Sequence, residues 1–292
     1  MLGTLHALRC SLAGAMAGCL ARLVPAAAGA WLLLPAVAQA ICLPVADLPL
    51  PQRYAALEGP APLPLPAGTR LAQAQGGVRI TFVGHASFLI ESPAGVRAVT
   101  DYNGVHRPPG MPDIVTMNNA HSTHHTDRLD RGIRHVLRGW SIEPGKPSLH
   151  DVTEQDVRVR NIPTNVRDWS GDTRYAGNSI FVFEVAGLCI AHLGHLHHDL
   201  TEEHLAALGQ IDVLMVPVDG GFTMAQEFML EVIRQIRPAV VMPMHYFSRD
   251  RLQRFLDMVG EEFPARVLDT PTIVLSRQTL PWKQTIVLPG PH

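Results

Sequence analysis

Charge is scarce in this chain. Only 17% of its 292 residues are charged, the formal net charge is -2, and no run of Lys and Arg occurs. A protein that reads nucleic acid needs a basic face, so nucleic acid is excluded as the main partner. No internal repeat stands out, and the one compositionally biased stretch is rich in Pro, Ala and Leu at residues 43–68. GxSxG, Walker and GxGxxG signatures are missing in any useful context, which removes the common serine-hydrolase and nucleotide-binding readings. Residues 1–40 contain no acid at all, only Arg9, Arg22 and the apolar run LVPAAAGAWLLLPAV ending in AQA. That pattern predicts a signal peptide over 1–40, with small residues where a signal peptidase cuts, and hence a secreted or periplasmic product. No second span of about twenty apolar residues follows, so no stable membrane span is expected after processing.

Cysteine is also rare. Cys10 and Cys19 fall inside the leader, which leaves Cys42 and Cys189 in a compartment that permits disulfides. The two could pair, but Cys189 sits in the apolar run GLCIAHLG, where a buried free thiol is the ordinary expectation.

What is present is apolar and patterned. Hydrophobic residues make up 47% of the chain, ample for a core. RITFVGHASFLIES predicts two strand pieces broken at Gly84; AGVRAVTDYN, DIVTMNN, RVRNIPT (158–164), NSIFVFEVAG and LCIAHLG predict further strands, the last two as a hairpin around Gly187. From residue 200 the period changes to that of strands alternating with helices. Thr201 reads as one N-cap and Gly209 as that helix's end. TMAQEFMLEVIRQIRP reads as a second helix with a Thr223–Gln226 capping box and an apolar face of Phe228, Met229, Val232, Ile233 and Ile236. A third helix ends at Gly260, and RVLDTPTIVLS reads as the closing strand. Strands this apolar on both faces must be covered on both, which predicts an α/β protein of two packed sheets with helices outside. The expected organisation is a signal peptide over 1–40, a proline-rich linker over 41–76, one domain over 77–278 and a C-terminal tail over 279–292.

Fifteen histidines are the chief chemical signal, and most cluster where strands end. VTMNNAHSTHH carries His121, His124 and His125; CIAHLGHLHH carries His192, His195, His197 and His198; VVMPMH ends in His245. Strand ends are where α/β folds build sites, and imidazole is the commonest protein ligand for zinc, copper and nickel. A lone histidine is usually hydrogen-bonded or solvated; three clusters at equivalent strand ends predict a metal site.

The order GHASFLI, VTDYN, NAHSTHH, IAHLGH, PMHY resembles the metallo-β-lactamase superfamily. It is most similar to the branch of ascorbate-6-phosphate lactonase-like hydrolases and N-acyl phosphatidylethanolamine phospholipases, from about Arg79 to Phe247. The resemblance implies an αββα sandwich of two mixed β-sheets flanked by helices. It also implies two adjacent metal positions built from H-x-H-x-D-H, a later histidine, a G-D aspartate and a final histidine. Here the first histidine of that motif falls on Asn119, the second on His121, the aspartate on Thr123 and the last histidine on His124. The later histidine falls on Asn165, the G-D aspartate on His195 and the final histidine on His245, while Asp101 and His85 match the acid and the GHAS histidine near the site.

The expected ligands are therefore His121, His124, His195 and His245, with His85, Asp101, Asn119, Thr123, His125, Asn165 and His198 as supporting neighbours. An asparagine is a weak ligand for a transition metal, so one divalent ion is expected, zinc first and copper second. No catalytic base is legible; Asp219 and Asp127 are the acids nearest the right stretches, and each reads as an ordinary loop acid. The leading expectation is an exported metal-dependent hydrolase of an ester, lactone or phosphoester, acting on a small molecule the sequence does not specify. The alternatives are a non-catalytic zinc- or copper-binding protein on a degenerate hydrolase fold and a partner-binding module in which the metal only holds loops.

Overall fold

In the chain's first strands, alternate residues turn to opposite faces. Phe88 and Ile90 enter one apolar layer while Leu89 enters another. The structure is a computed structural model that describes residues 42, 76–143, 146–168 and 170–290. Both the expected signal peptide and nearly all of the expected linker lie outside the described residues. Every described residue belongs to the unit Ala38–His292.

Two mixed sheets face each other. The first has six strands in the order β13(Thr272–Leu275), β1(Val78–Gly84), β2(Ser87–Glu91), β3(Arg97–Val99), β4(Ile114–Met117) and β5(His135–Arg138). The second has eight: β12(Ala265–Val267), β14(Thr285–Leu288), β11(Val240–Met244), β10(Val213–Pro217), β9(Leu188–His192), β8(Thr173–Val185), β7(Val157–Arg167) and β6(Asp151–Glu154). Phe88, Phe181, Phe183, Ile190 and Met215 fill the layer between the sheets. Strands β3 and β4 run parallel in one sheet and β9, β10 and β11 run parallel in the other, so their C-terminal ends gather. This geometry positions the site.

Three helices, α1(Glu202–Leu208), α2(Gln226–Ile236) and α3(Arg249–Val259), cover the outer face of the eight-stranded sheet. Thr201 caps α1 as expected, with His204 completing the capping box. The box expected for α2 is absent. Its N-cap is Ala225, because Thr223 donates its hydroxyl to Asp219 and Gln226 donates to the carbonyls of Val218 and Arg251. Anchoring Gln226 inward also sets the rotation of α2, so Leu230 is buried and Phe228 is turned out to 57% exposure. On the far face of the six-stranded sheet Leu89, Val99, Tyr102, Val115, Met117 and Ile133 form a third cluster, with Leu129 and Trp140 packed against it.

Two boundaries differ from expectation. The closing run divides at Asp269–Pro271: β12 belongs to the eight-stranded sheet and β13 to the six-stranded one. The stretch expected as a C-terminal tail supplies β14, inserted between β11 and β12, because Thr285 to Leu288 offers four more residues for a parallel ladder.

Cys189 is not a free thiol. It is joined to Cys42, with their Cα atoms 5.9 Å apart, a separation the bond accommodates. Both cysteines sit in the apolar layer beneath the helices, so burial, the reason for expecting a thiol, holds equally for the pair. Among the described residues no helix is long and apolar enough to cross a membrane.

Candidate metal centre

Four loops meet at the gathered strand ends. Asp101 follows β3, His121 to His125 follow β4, His195 follows β9, and Asp219 and His245 follow β10 and β11. His85 occupies the tight turn between β1 and β2, and its carbonyl accepts a hydrogen bond from the backbone of His245 at 2.9 Å, joining the two sheets. His85, Asp101 and His245 all have positive φ, at 53°, 43° and 56°. Such backbone is unfavourable for side chains with a Cβ and persists only where the surroundings enforce it, as they do at sites.

His124 and His245 are fully buried. Nδ1 of His124 lies 2.5 Å from Asp101 Oδ2, and Nδ1 of His245 lies 2.9 Å from Asp219 Oδ1. With both Nδ1 atoms committed to carboxylates, the Nε2 atoms are the ones left facing each other, 3.1 Å apart. Nδ1 of His195 approaches His124 Nε2 to 2.9 Å. His85 completes the group: His85, His124 and His245 each place a ligand atom within 4.8 Å of the others. The His85 Nε2 is buried without a hydrogen-bond partner.

The donor set fits a cation. Ring nitrogens 2.9 and 3.1 Å apart come near the tetrahedral edge of roughly 3.3 Å that a zinc–nitrogen bond of about 2.0–2.1 Å implies. Burial, reinforced by His245 and His124, lowers the pKa of His85 to about 3. Burial likewise holds His195 far below the usual histidine range, with His124 and His245 adding to it. Both are neutral at pH 7 and free to ligate. Burial opposes the charge of Asp219, but its hydrogen bonds with His245 and Thr223 outweigh it and its pKa falls well below the carboxylate range. In Asp101 burial is similarly outweighed by the neighbouring His124, and the pKa is lowered.

The other expected residues lie around this centre. His121 is exposed, its ring stacked on His195 with centroids 6.1 Å apart, and its Nδ1 is turned to Thr123 Oγ1 at 2.9 Å. Asn119 is a strut: it donates to Gly177 O and accepts the His121 N–H at 2.8 Å. Asn165 accepts the Ala176 N–H at the point where the β7–β8 register shifts. His125 packs edge-on against Trp140, 5.1 Å away, and reaches His121 O. His198 Nε2 is buried without a partner, outside the converging group. His192 is committed elsewhere, bonding Ala86 O and the Gly194 N–H.

Two roles were not legible in the sequence. His85 was expected as a neighbour and instead points its ring nitrogen into the group. Asp219, taken for a loop acid, orients His245 and also accepts the N–H groups of Gly221, Phe222 and Thr223. Its place in VDGG, with glycines letting three successive N–H groups fold back on one carboxylate, was the available signal. Asp127 is on the surface, paired with Arg138.

Beside the centre opens a cavity of about 820 Å³ whose lining includes His121, His195, His245, Arg167, Arg174, Phe222 and Phe247.

Sandwiched mixed sheets with histidines and carboxylates at the strand ends define a superfamily, and the chain matches the model of the beta-lactamase superfamily domain over residues 79–245. The chain belongs to that superfamily. It is 27% identical over 194 residues to a UPF0173 metal-dependent hydrolase of Carboxydothermus hydrogenoformans, covering 58% of this chain and 84% of that one. With one from Pyrococcus furiosus it shares 26% over 219 residues, covering 65% and 96%. Among solved structures it is similar to a candidate Zn-dependent hydrolase of the metallo-beta-lactamase superfamily from Thermotoga maritima, with TM-score 0.53, 27% identity and coverage of 72% and 98%. A metal-dependent hydrolase candidate from Parabacteroides distasonis, at TM-score 0.51 and 16% identity, shares the fold.

Proposed function

We propose that this protein is an exported metal-dependent hydrolase that cleaves an ester, lactone or phosphoester at a mononuclear centre. One observation carries the reading: two imidazoles, each held by its own buried carboxylate, aim their Nε2 atoms at one point, 3.1 Å apart, beside two further neutral imidazoles. His85, His124, His195 and His245 would hold the ion, with His121 at the rim. All are imidazole nitrogen donors, which suits zinc first and copper next, and disfavours magnesium, calcium and manganese. A transition metal bound there supplies Lewis acidity and a more acidic water at neutral pH. Asp101 and Asp219 hold the rings of His124 and His245 in place, and the cavity of about 820 Å³ beside them is the size of a small-molecule site. The close relation to chains named as metal-dependent hydrolases supports the same reading. A single ion is favoured because Asn119 and Asn165, which stand where the resembling family has ligands, spend their amide groups on backbone.

A second reading, a non-catalytic metal-binding protein, draws on one specific fact. Thr123 stands where the resembling family has the aspartate of its motif, and its hydroxyl is engaged by His121. Elemental analysis of untagged protein, followed by hydrolysis of p-nitrophenyl esters and phosphoesters before and after chelation, decides between the two. About one ion per chain with chelator-sensitive turnover supports the hydrolase. One ion with no turnover of any substrate points to the second reading, and two tightly held ions defeat the mononuclear centre.

A further inference from the structure

The lining of the cavity beside the histidines combines two chemically opposite groups of residues. One lies on the outer part of the β7–β8 hairpin, where Val166 pairs with Arg174 and Arg167 with Thr173 beyond the register shift at Asn165. Arg167 and Arg174 line the cavity from this hairpin, and neither is in an ion pair with any described residue. The hydrogen bonds of Arg167 go to neutral partners: its N–H to His197 Nδ1 and its guanidinium to Thr223 O at 3.3 Å. Asp168, the acid on the same hairpin, is occupied by its own turn, accepting from the N–H and hydroxyl of Ser170 and the N–H of Asp172. The hairpin therefore presents two guanidinium groups with no carboxylate partner among the described residues, and the Arg167 guanidinium spends only one of its N–H groups, on Thr223 O.

The second group is aromatic. Phe222 and Phe247 pair edge to face, 5.3 Å apart, and each is 58% exposed. Phe247 also lies 5.2 Å from the ring of His245 and 5.4 Å from that of His85, so the aromatic surface runs down to the centre. The loop bearing Phe222 is fixed, since its N–H is held by Asp219 at 2.6 Å. Two adjoining, half-open phenyl rings on a pinned loop are a ready apolar surface, and a cavity of about 820 Å³ is the size of a small-molecule site.

We propose that the substrate is an anionic amphiphile, with an apolar acyl or aryl part resting on Phe222 and Phe247 and a carboxylate or phosphate oxyanion gripped by Arg167 and Arg174. This assignment rests on the hydrolase reading for the word substrate, but the binding it asserts stands by itself. Positive groups sharing one cavity with an apolar surface select against both neutral lipids and small hydrophilic anions, because each satisfies only part of the lining.

The experiment is titration calorimetry on the purified full chain with three probes that share a phenyl group: 4-phenylbutyrate, phenylphosphonate and the neutral 4-phenylbutanamide. At least one anion binds about tenfold or more tightly than the amide. Arg167→Gln and Arg174→Gln each remove most of that preference and leave the amide's Kd in place. Phe222→Ala and Phe247→Ala weaken all three probes several-fold. A stronger phosphonate assigns the oxyanion to a phosphate, and a stronger butyrate assigns it to a carboxylate. Equal binding of amide and anions overturns the proposal, as does an anion preference that survives both arginine changes, which would place the anion on the histidine centre. If the binding pattern holds and the protein hydrolyses nothing, the hydrolase reading fails and the binding assignment stands.

Discussion

Asp219 accepts a hydrogen bond from His245 at 2.9 Å while the same carboxylate gathers three successive backbone N–H groups and the Thr223 hydroxyl. This acid therefore does two things at once. It anchors the His245 ring through Nδ1, and it pins the loop that carries Phe222. Asp101 plays the matching part for His124 and in addition accepts the Asn118 N–H, which ties the β4 loop to β3. Carboxylate partners of this kind typically contribute one to two orders of magnitude to metal affinity.

Replacing Asp219 by Asn removes the negative charge and lets the amide present either a donor or an acceptor to His245. Zinc affinity should fall by about 10–100-fold while the far-ultraviolet circular dichroism stays that of the parent. Competition against a chromophoric chelator measures it; an unchanged zinc Kd would show that His245 needs no orienting partner.

Among the histidines, position separates ligand from neighbour. His195→Ala and His85→Ala should each weaken metal binding strongly, because the His195 Nδ1 reaches His124 Nε2 and His85 places a ring nitrogen near those of His124 and His245. His121→Ala should have a small effect, about severalfold, since its ring is exposed and its Nδ1 faces Thr123. Titration of the three variants with zinc and copper reads the order. The ligand assignment fails if His195→Ala binds like the parent.

The Cys42–Cys189 bond links residues 147 apart, so it restricts the unfolded chain over half its length. The double change Cys42→Ser, Cys189→Ser should cost roughly 2–5 kcal/mol of stability. Guanidinium denaturation with and without reductant checks this: reductant should lower the midpoint of the parent and leave that of the double variant unmoved. A parent indifferent to reductant would mean the two thiols are unpaired in solution.

Export predicts a mature N-terminus at or near Ile41, because the acid-free apolar leader ends in AQA. An oxidising compartment is also where the bond between Cys42 and Cys189 would persist. Intact-mass measurement on protein from the cell envelope tests processing; a mass that keeps residues 1–40 would overturn it.

The sequence by itself determined the sandwich. Period-two and fully apolar strands followed by strand–helix alternation leave few ways to bury both faces, and the structure has the two mixed sheets they require. It also determined that histidines crowd at the ends of β4, β9 and β11, since side-chain order along a strand is local information. What only the tertiary structure decided is which atoms meet. The strand of residues 265–275 divides between two sheets, and β14 enters the larger sheet from a stretch with no stronger signal than a tail, because ladder pairing depends on distant partners. Phe228 turns outward since Gln226 is anchored across the chain to Arg251, a contact that helical periodicity cannot encode. His85 and His245 are 160 positions apart in the sequence, and a backbone hydrogen bond across the two sheets brings them together with both residues at positive φ. Spacing within a motif fixes what one loop can reach, whereas a metal centre is assembled from several loops whose separation is set by how the sheets pack.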